Sequence, residues 1–266
     1  MKNVSVLNLT RRLVCVVLLA LLLGPGITSS CQPNEIDGGQ RAAIIDQLSV
    51  DYPNEAFIQQ VTSLLEGIGL GVDVYTGDQV AVDLYRRLPS PGYRVIIFRV
   101  HSGLLEGNPE HDGMTWLYTN EPYSKTDHVM DQLGNRVSRA QASREAPPFF
   151  AVSSKFVDEA MTGDFNGTVV IIMGCDGMHL ADLALAFIGK GAAVTIGWNR
   201  SVTMDYTDTV MLAVLKKTCV GNATIIDALL QTMQEYGPDP ETGAILQYYP
   251  QAGGLETLAD LVSISD

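Results

Sequence analysis

The sequence has 266 residues, of which 46% are hydrophobic and 18% are charged, and its formal net charge at pH 7 is -13. This length is sufficient for one sizeable hydrophobic core, with room for a second small one. The acidic balance disfavours nucleic acid as a partner, because phosphate binding needs clusters of basic side chains. The sequence contains no Walker loop, no GxGxxG and no GxSxG, which disfavours nucleotide hydrolases, dinucleotide enzymes and serine hydrolases.

The first thirty residues have the pattern of an export signal. Lys2, Arg11 and Arg12 precede an apolar run at 13–23, which at 1.5 Å per residue is too short to cross about 30 Å of hydrocarbon. A Gly-Pro-Gly breaker and small residues follow this run. We therefore predict a signal peptide over residues 1–30 that directs the protein out of the cytoplasm.

Cys31 follows the small residues "TSS" and resembles the lipobox cysteine that becomes the acylated first residue of a lipoprotein. Thr28 stands where that motif has a branched aliphatic residue. Three outcomes stay open: a lipid on Cys31 that anchors the protein to the extracytoplasmic side of the membrane, simple secretion, or a retained helix. Residues 31–40 are predicted to be a linker to a single domain over 41–266.

Apolar runs alternate with amphipathic segments up to residue 101. The runs at 41–50, 72–75 and 94–100 predict strands, and the segments between them predict two helices. In the first helix the apolar side chains recur at helical spacing and two glycines end the pattern. These residues are Phe57, Val61, Leu64, Leu65, Ile68, Gly67 and Gly69.

Residues 104–167 form a polar segment with little sustained periodicity, and prolines stand at 109, 122, 147 and 148. We predict a long insertion of loops and short elements here, in which "SSKFVDEAMTGDF" is the best helix. Insertions of this kind often carry function.

Regular patterns return after residue 167. "TVVIIMGCDGM" and "AAVTIGW" predict strands on either side of a helix in "LADLALAFIGKG". Helices follow at Thr203–Cys219 and Thr224–Tyr236, then a possible edge strand in "ILQYY" and a helix in "LETLADLVSI". The alternation predicts an α/β fold of three layers, α/β/α, around a mainly parallel sheet.

His101 and Cys175 each follow directly on an apolar strand. Ligands of parallel sheets bind at the carboxyl ends of the strands, so both residues are predicted to lie on the ligand-binding edge. A nucleophilic thiol needs activation, which a neighbouring imidazole and the dipole of the helix expected right after Cys175 could supply. Gly103, Gly174 and Gly177 would let backbone N–H groups approach a substrate carbonyl.

Simpler interpretations of these residues remain open. Cys175 could fill the core or pair with Cys219 in a disulfide, and His101 could be a solvated loop residue. Asp176 could contact substrate or cap the following helix. The histidines lack the spacing of a metal site, so no metal or other cofactor is predicted.

The segments at 94–103 and 168–198 resemble the caspase-like cysteine peptidases, a group that includes caspases, metacaspases, gingipain and clostripain types. "VVIIMGCDGMHLADLALAFIGKGAAVTIGW" is most similar to the CHAT-domain type. The resemblance implies a caspase-like fold over about 41–236 and a polypeptide substrate. It further implies the following roles: Cys175 as nucleophile, His101 as general acid/base, the Cys175 backbone N–H, Ser102, Gly103 and Gly174 around the oxyanion, and Trp198 beside the substrate pocket.

Two positions differ from the family pattern. Ser102 stands where the family has a glycine directly after the histidine, and Met173 stands where enzymes that cut after Arg or Lys have an aspartate. We therefore expect an exported cysteine endopeptidase that works through a thioester, without a preference for basic residues based on Met173. The alternative is a catalytically inactive surface lipoprotein of the same fold that binds peptides or proteins.

Overall fold

The computed structural model describes residues 40–105 and 113–263, and in this part of the chain a six-stranded sheet forms the centre. Its strands lie in the order β10-β9-β8-β3-β1-β2, and all neighbours are parallel except β10, which runs antiparallel to β9. The strands are β1 (Arg41–Asp46), β2 (Gly71–Thr76), β3 (Tyr93–Arg99), β8 (Val169–Ile172), β9 (Val194–Trp198) and β10 (Leu246–Tyr249).

Helices cover both faces of this sheet. One face packs against α1, α6, α7 and α8, and the other packs against α2, α4 and α5. The helices are α1 (Glu55–Gly67), α2 (Val82–Arg87), α3 (Val129–Leu133), α4 (Ser154–Ala160), α5 (Asp182–Gly189), α6 (Met204–Cys219), α7 (Ile225–Tyr236) and α8 (Leu258–Ser263). The prediction of three α/β/α layers around a mostly parallel sheet is confirmed.

Successive side chains of β3 point to opposite faces of the sheet, and both faces are covered. The sequence of β3 is therefore a continuous apolar run. Val95 and Ile97 belong to the core on the α1 and α6 side, whereas Ile96 and Phe98 belong to the core on the α5 side. Every residue of β3 is buried. A strand covered on both faces needs apolar side chains at successive positions, which is what the sequence has.

The segment 104–167 does contain short elements in its described part, as predicted, but the assembly of its strands into a sheet was not predicted. It contributes most of a second, antiparallel sheet of four strands in the order β4-β5-β7-β6, within the part of the chain that the structure describes. The strands are β4 (Ser102–Leu104), β5 (Thr115–Pro122), β6 (Val137–Ala140) and β7 (Phe149–Ser153). The predicted helix near 154 is confirmed as α4.

The described prolines of this segment lie at or next to strand ends and so do not interrupt the second sheet. Pro122 is the last residue of β5, and Pro148 directly precedes β7. The strands are short, so the period-2 pattern in each of them is brief. Leu117, Phe150 and Val152 still bury their side chains against the core on the α5 side.

The predicted signal peptide at 1–30, Cys31 and most of the linker lie outside the described residues. Among the helices of residues 40–105 and 113–263, none has the length and hydropathy needed to cross a bilayer.

Candidate active site

His101 and Cys175 lie just beyond the carboxyl ends of β3 and β8. The two strands are parallel neighbours, and their four consecutive pairs end with Phe98 beside Ile172. The N–H of Met173 donates to the Phe98 carbonyl at 2.8 Å, which carries the pairing past the end of β8. Both strands end before the two candidate residues, β3 at Arg99 and β8 at Ile172, so the observed pairs place His101 and Cys175 at the same edge of the sheet without showing a contact between them.

Alternate residues of the two strands that precede His101 and Cys175 share one face of the sheet. Residues two apart on a strand share a face, and Val95, Ile97, Ile171 and Met173 all lie in the core beneath α1 and α6. Cys175 is half-buried and packs against that same core. The thiol therefore lies on this face, and the imidazole follows the end of the adjacent strand.

Two tyrosines flank the imidazole of His101. Its ring centroid lies 5.9 Å from that of Tyr52 and 6.0 Å from that of Tyr118. The ring nitrogens make no hydrogen bond to any residue that the structure describes. Burial lowers the pKa of His101, and the charge of Asp51 partly opposes this shift. The imidazole is therefore neutral at neutral pH and able to accept a proton.

The thiol of Cys175 is held by the backbone of Val202. The Val202 N–H donates to Sγ at 3.5 Å, and Sγ donates to the Val202 carbonyl at 3.7 Å. Burial raises the pKa of Cys175, the hydrogen bond from Val202 opposes the shift, and the carboxylate of Asp176 adds to it. Neither Cys175 nor Cys219 is in a disulfide. The thiol and the imidazole are thus both neutral in the resting structure.

The helix predicted directly after Cys175 begins later, at Asp182, with Ala181 as its N-cap. The intervening turn bonds to the end of β9 instead: the N–H of Asp176 donates to the Arg200 carbonyl at 3.2 Å, and the N–H of Met178 to the Trp198 carbonyl at 2.8 Å. The predicted activation of the thiol by a helix dipole is therefore wrong. Asp176 is not an N-cap.

Asp176 instead occupies the left-handed region of the backbone, with φ of 58°. This conformation is uncommon for a residue other than glycine, although aspartate tolerates it better than most. The turn at Asp176 directs the chain away from β8 immediately after the thiol. A strained residue next to a candidate nucleophile is a common feature of active sites.

Gly174 allows the ends of β3 and β8 to approach closely. A Cβ at this position would lie 2.3 Å from both the Val100 carbonyl oxygen and the Ser102 Oγ, which is closer than real contacts allow. The Ser102 hydroxyl also donates to the Cys175 carbonyl at 2.6 Å. The serine that differs from the family pattern thus joins the two strand ends.

The backbone N–H groups of Ser102 and Cys175 have no hydrogen-bond acceptor among the described residues. The Tyr118 N–H donates to the His101 carbonyl at 2.9 Å, so in the alternating antiparallel ladder Ser102 belongs to a non-hydrogen-bonded pair with Leu117. Its N–H therefore points away from β5, towards Gly174. The N–H of Cys175 makes no hydrogen bond within residues 40–105 and 113–263.

By the same alternation, the N–H of Gly103 faces Trp116 in the ladder, so Gly103 is not placed as the oxyanion donor that was predicted. Gly103 has φ of 155°, and a Cβ there would lie 3.6 Å from a carboxylate oxygen of Asp176. That distance is an ordinary contact, so the backbone conformation, and not the space around it, favours glycine at this position.

The prediction for Trp198 also needs correction. Its side chain is fully buried, its Nε1–H donates to Thr207 Oγ1 at 2.9 Å, and Thr207 in turn donates to the Met173 carbonyl at 2.9 Å. The ring therefore supports the strand below Cys175 instead of lining an open pocket. The sequence showed that Trp198 ends a strand, but it did not show which way the side chain points. Trp198 is the last residue of β9, and its side chain faces the core.

Two groups of contacts that hold the site in place were not predicted from the sequence. The side chain of Gln47 accepts a hydrogen bond from the backbone N–H of His101 at 2.9 Å and donates one to Asn120 Oδ1 at 2.8 Å. Gln47 thereby links the backbone of His101 to the second sheet. These contacts join residues far apart in the chain, and no local pattern in the sequence marks them.

The second support is a buried ionic cluster around Arg99. Its guanidinium donates to both carboxylate oxygens of Asp208 at 2.9 Å, to Asp46 at 2.7 Å and to the Tyr52 carbonyl at 2.8 Å. All three charged side chains are almost completely buried. Arg99 thereby fixes the segment that places the Tyr52 ring against His101.

No protein-family model matches this chain, and no curated protein matches it either. The described residues include no group of three or more His, Cys, Asp and Glu side chains that could hold a metal ion. The arrangement of His101 and Cys175 on one edge of the sheet is therefore the basis for assigning a function.

Proposed function

We propose that this chain is a cysteine endopeptidase of caspase-like fold, in which Cys175 is the nucleophile and His101 the general acid/base. The support for the proposal is that the strands before His101 and Cys175, β3 and β8, are parallel neighbours in register, so the two residues follow adjacent strand ends. A nucleophile and a base brought together by separate elements, beside free backbone N–H donors, are the components needed for acyl transfer.

The reaction starts from a neutral pair. His101 takes the thiol proton as Sγ attacks the peptide carbonyl, and a C–S bond forms. The oxyanion accepts hydrogen bonds from the backbone N–H groups of Ser102 and Cys175. The C–N bond then breaks, His101 gives its proton to the leaving amine, and a thioester remains. Water, deprotonated by His101, hydrolyses the thioester and releases the acid and the thiol.

Attack requires a change in the position of the thiol. In the resting structure Sγ is bonded to the backbone of Val202 and has no hydrogen bond to His101. Sγ must therefore leave the Val202 backbone before it can attack a substrate carbonyl. Catalytic hydrogen bonds commonly form only once substrate is bound.

The same contact with Val202 favours a second candidate function. A thiol that is half-buried, hydrogen-bonded to backbone and raised in pKa resembles a structural cysteine. The second candidate is a non-catalytic module of the same fold that binds peptides or proteins at the carboxyl edge of the sheet. It predicts that loss of Cys175 leaves function unchanged.

An activity-based probe separates the two candidates. Peptidyl acyloxymethyl ketones or epoxides should label the wild-type protein at Cys175, and Cys175→Ala and His101→Ala should each abolish labelling. Cys219→Ala is the matched control, because it removes the other half-buried free thiol and should leave labelling intact. Labelling that persists in both dyad variants, or no labelling of the wild type, contradicts the peptidase and favours the module.

We further propose that the protein is exported and carries a lipid on Cys31. The support is the sequence of residues 1–31 alone, which lie outside the described residues. Mass spectrometry of the mature N-terminus should find an acylated Cys31 in the membrane fraction, and Cys31→Ala should release the protein from it. An unmodified N-terminus in the soluble exported fraction indicates simple secretion instead.

A further inference from the structure

A pocket of about 460 Å³ opens at the carboxyl ends of β1 and β2, on the same edge of the sheet as the dyad. We call it the β1–β2 pocket. Strand β1 lies beside β3, which carries His101. The lining residues are Asp46, Ser49, Val50, Pro53, Asn54, Glu55, Ile58, Gln59, Thr76 and Gly77. Tyr52, whose ring contacts His101, lies between Val50 and Pro53, so one short segment borders both sites.

Most polar groups of the β1–β2 pocket already have partners within the protein. Asp46 is paired with Arg99, the Ser49 hydroxyl accepts the Gly77 N–H, and Asn54 caps α1 and bonds to Asp208. These groups support the pocket but have little bonding capacity left for a ligand. The apolar contribution to its walls comes from Val50, Pro53 and Ile58.

Glu55 and Gln59 are the lining residues whose side chains have no hydrogen-bond or ion-pair partner among the described residues. They are four residues apart on α1 and so share one face of the helix. Glu55 is exposed and carries a negative charge at the opening of the pocket. Apolar walls with a free carboxylate at the opening fit a ligand that has an apolar stem and a cationic end.

The proposed chemistry sets which half of the substrate reaches this pocket. His101 gives its proton to the leaving amine, so the part of the substrate on the C-terminal side of the cut lies on the His101 side of Cys175. The strand order beyond β3 on that side is β1 and then β2. The leaving half of the peptide is therefore directed towards the β1–β2 pocket.

Strand spacing gives the position of the residue that enters. Neighbouring strands are about 4.8 Å apart, so the pocket lies about 12 Å along the sheet edge from the end of β8. An extended peptide advances about 3.3 Å per residue, and a long side chain adds several ångströms of reach. The second or third residue after the scissile bond is at this distance.

We propose that the β1–β2 pocket binds a Lys or Arg side chain at the second or third position C-terminal to the scissile bond, held by Glu55. This inference rests on the proposed peptidase function for its geometry. The stem of the side chain packs against Val50, Pro53 and Ile58, and the cation pairs with the Glu55 carboxylate. The preference concerns the leaving half of the substrate and is independent of Met173, which is buried behind Cys175.

Matched peptides test the assignment. Two quenched fluorescent peptides have the same sequence up to the scissile bond and differ after it. One carries Lys and the other norleucine at the second and third positions, because norleucine has the apolar stem of Lys without the charge. We expect kcat/KM to be about fivefold higher for Lys. Glu55→Gln should bring the ratio close to one, whereas Glu66→Gln, on an exposed site of the same helix, should preserve it. Equal rates for the two peptides, or a ratio unchanged by Glu55→Gln, overturn the proposal.

Direct binding separates this proposal from the peptidase function. A tripeptide amide with Lys at its second and third positions, added to the full-length Cys175→Ala protein, should shift NMR signals of residues 50–59, and the norleucine counterpart or Glu55→Gln should weaken binding. Binding that depends on Glu55, without any cleavage that depends on Cys175, contradicts the peptidase function and supports the site for a basic side chain. Cleavage without binding that depends on Glu55 supports the peptidase function and contradicts the proposed site.

Discussion

The thiol of Cys175 has a raised pKa because burial and the nearby Asp176 carboxylate disfavour the thiolate. Little thiolate should therefore exist at pH 7, and alkylation of Cys175 by iodoacetamide should be slow there. The rate should rise with pH and reach its midpoint above the ordinary thiol value of about 8.5. Mass spectrometry of the Cys175 peptide after timed alkylation measures this. A midpoint below pH 7 contradicts the neutral pair and indicates a thiolate–imidazolium pair.

The imidazole of His101 provides the complementary prediction. Burial disfavours its charged form and lowers its pKa from 6.5, so protonation requires a pH below that value. An NMR titration, with the His101 signal assigned from the spectrum of His101→Gln, should give a midpoint below 6.5. The same midpoint should limit kcat/KM on the acid side, since a protonated imidazole cannot accept the thiol proton. A midpoint above 6.5 means that the ring is solvated or paired with an anion.

Among the charged side chains, we expect removal of Arg99 to lower the free energy of unfolding the most. Arg99→Ala leaves the buried carboxylates of Asp46 and Asp208 without their cation, and breaking a buried ion pair in this way costs about 3–5 kcal/mol. Denaturant unfolding measures the change. Arg87→Ala, an exposed arginine on α2, is the control and should change stability by less than about 0.5 kcal/mol. Comparable losses in the two variants contradict the account of the cluster.

At the scale of the elements, the site depends on how closely β3 and β8 approach each other. Gly174→Ala introduces a methyl group 2.3 Å from the Val100 carbonyl oxygen, so the strand ends must separate. We expect a loss of about 1–3 kcal/mol in stability and loss of probe labelling at Cys175.

Gly189→Ala is the matched control for Gly174→Ala. It adds the same methyl group at the end of α5, where nothing lies within 4 Å of the new Cβ. Stability and labelling should both be maintained in this variant. Full labelling of Gly174→Ala would show that the separation of the strands has no importance for the site.

The elements that could be predicted are those whose signal is local. Strands β3 and β8 are continuous apolar runs, and α1 and α7 have apolar stripes with side-chain caps at Asn54 and Thr224. The second sheet was missed because its strands are short and its registry depends on pairing across the insertion. The start of α5 was misplaced because backbone bonds from the 176–178 turn to the end of β9, which are not visible in the sequence, delay it.

For the whole molecule, the sequence was sufficient to place His101 and Cys175 on one edge of a parallel sheet, since both follow apolar strands. It could not give the strand order, which makes β3 and β8 neighbours, or the register in which these two strands pair. It also could not show that Trp198 points inward or that Val202 holds the thiol. These features depend on contacts between segments that are distant in the chain.

The central claim is that the edge formed by β3 and β8 hydrolyses peptide bonds through Cys175 and His101. The most direct measurement is digestion of a proteome-derived peptide library by the purified protein, with cleavage products identified by mass spectrometry. We predict new termini with wild type and with Cys219→Ala, and none with Cys175→Ala or His101→Ala. Cleavage that survives loss of Cys175, or a library left intact by the wild-type protein, would contradict the account.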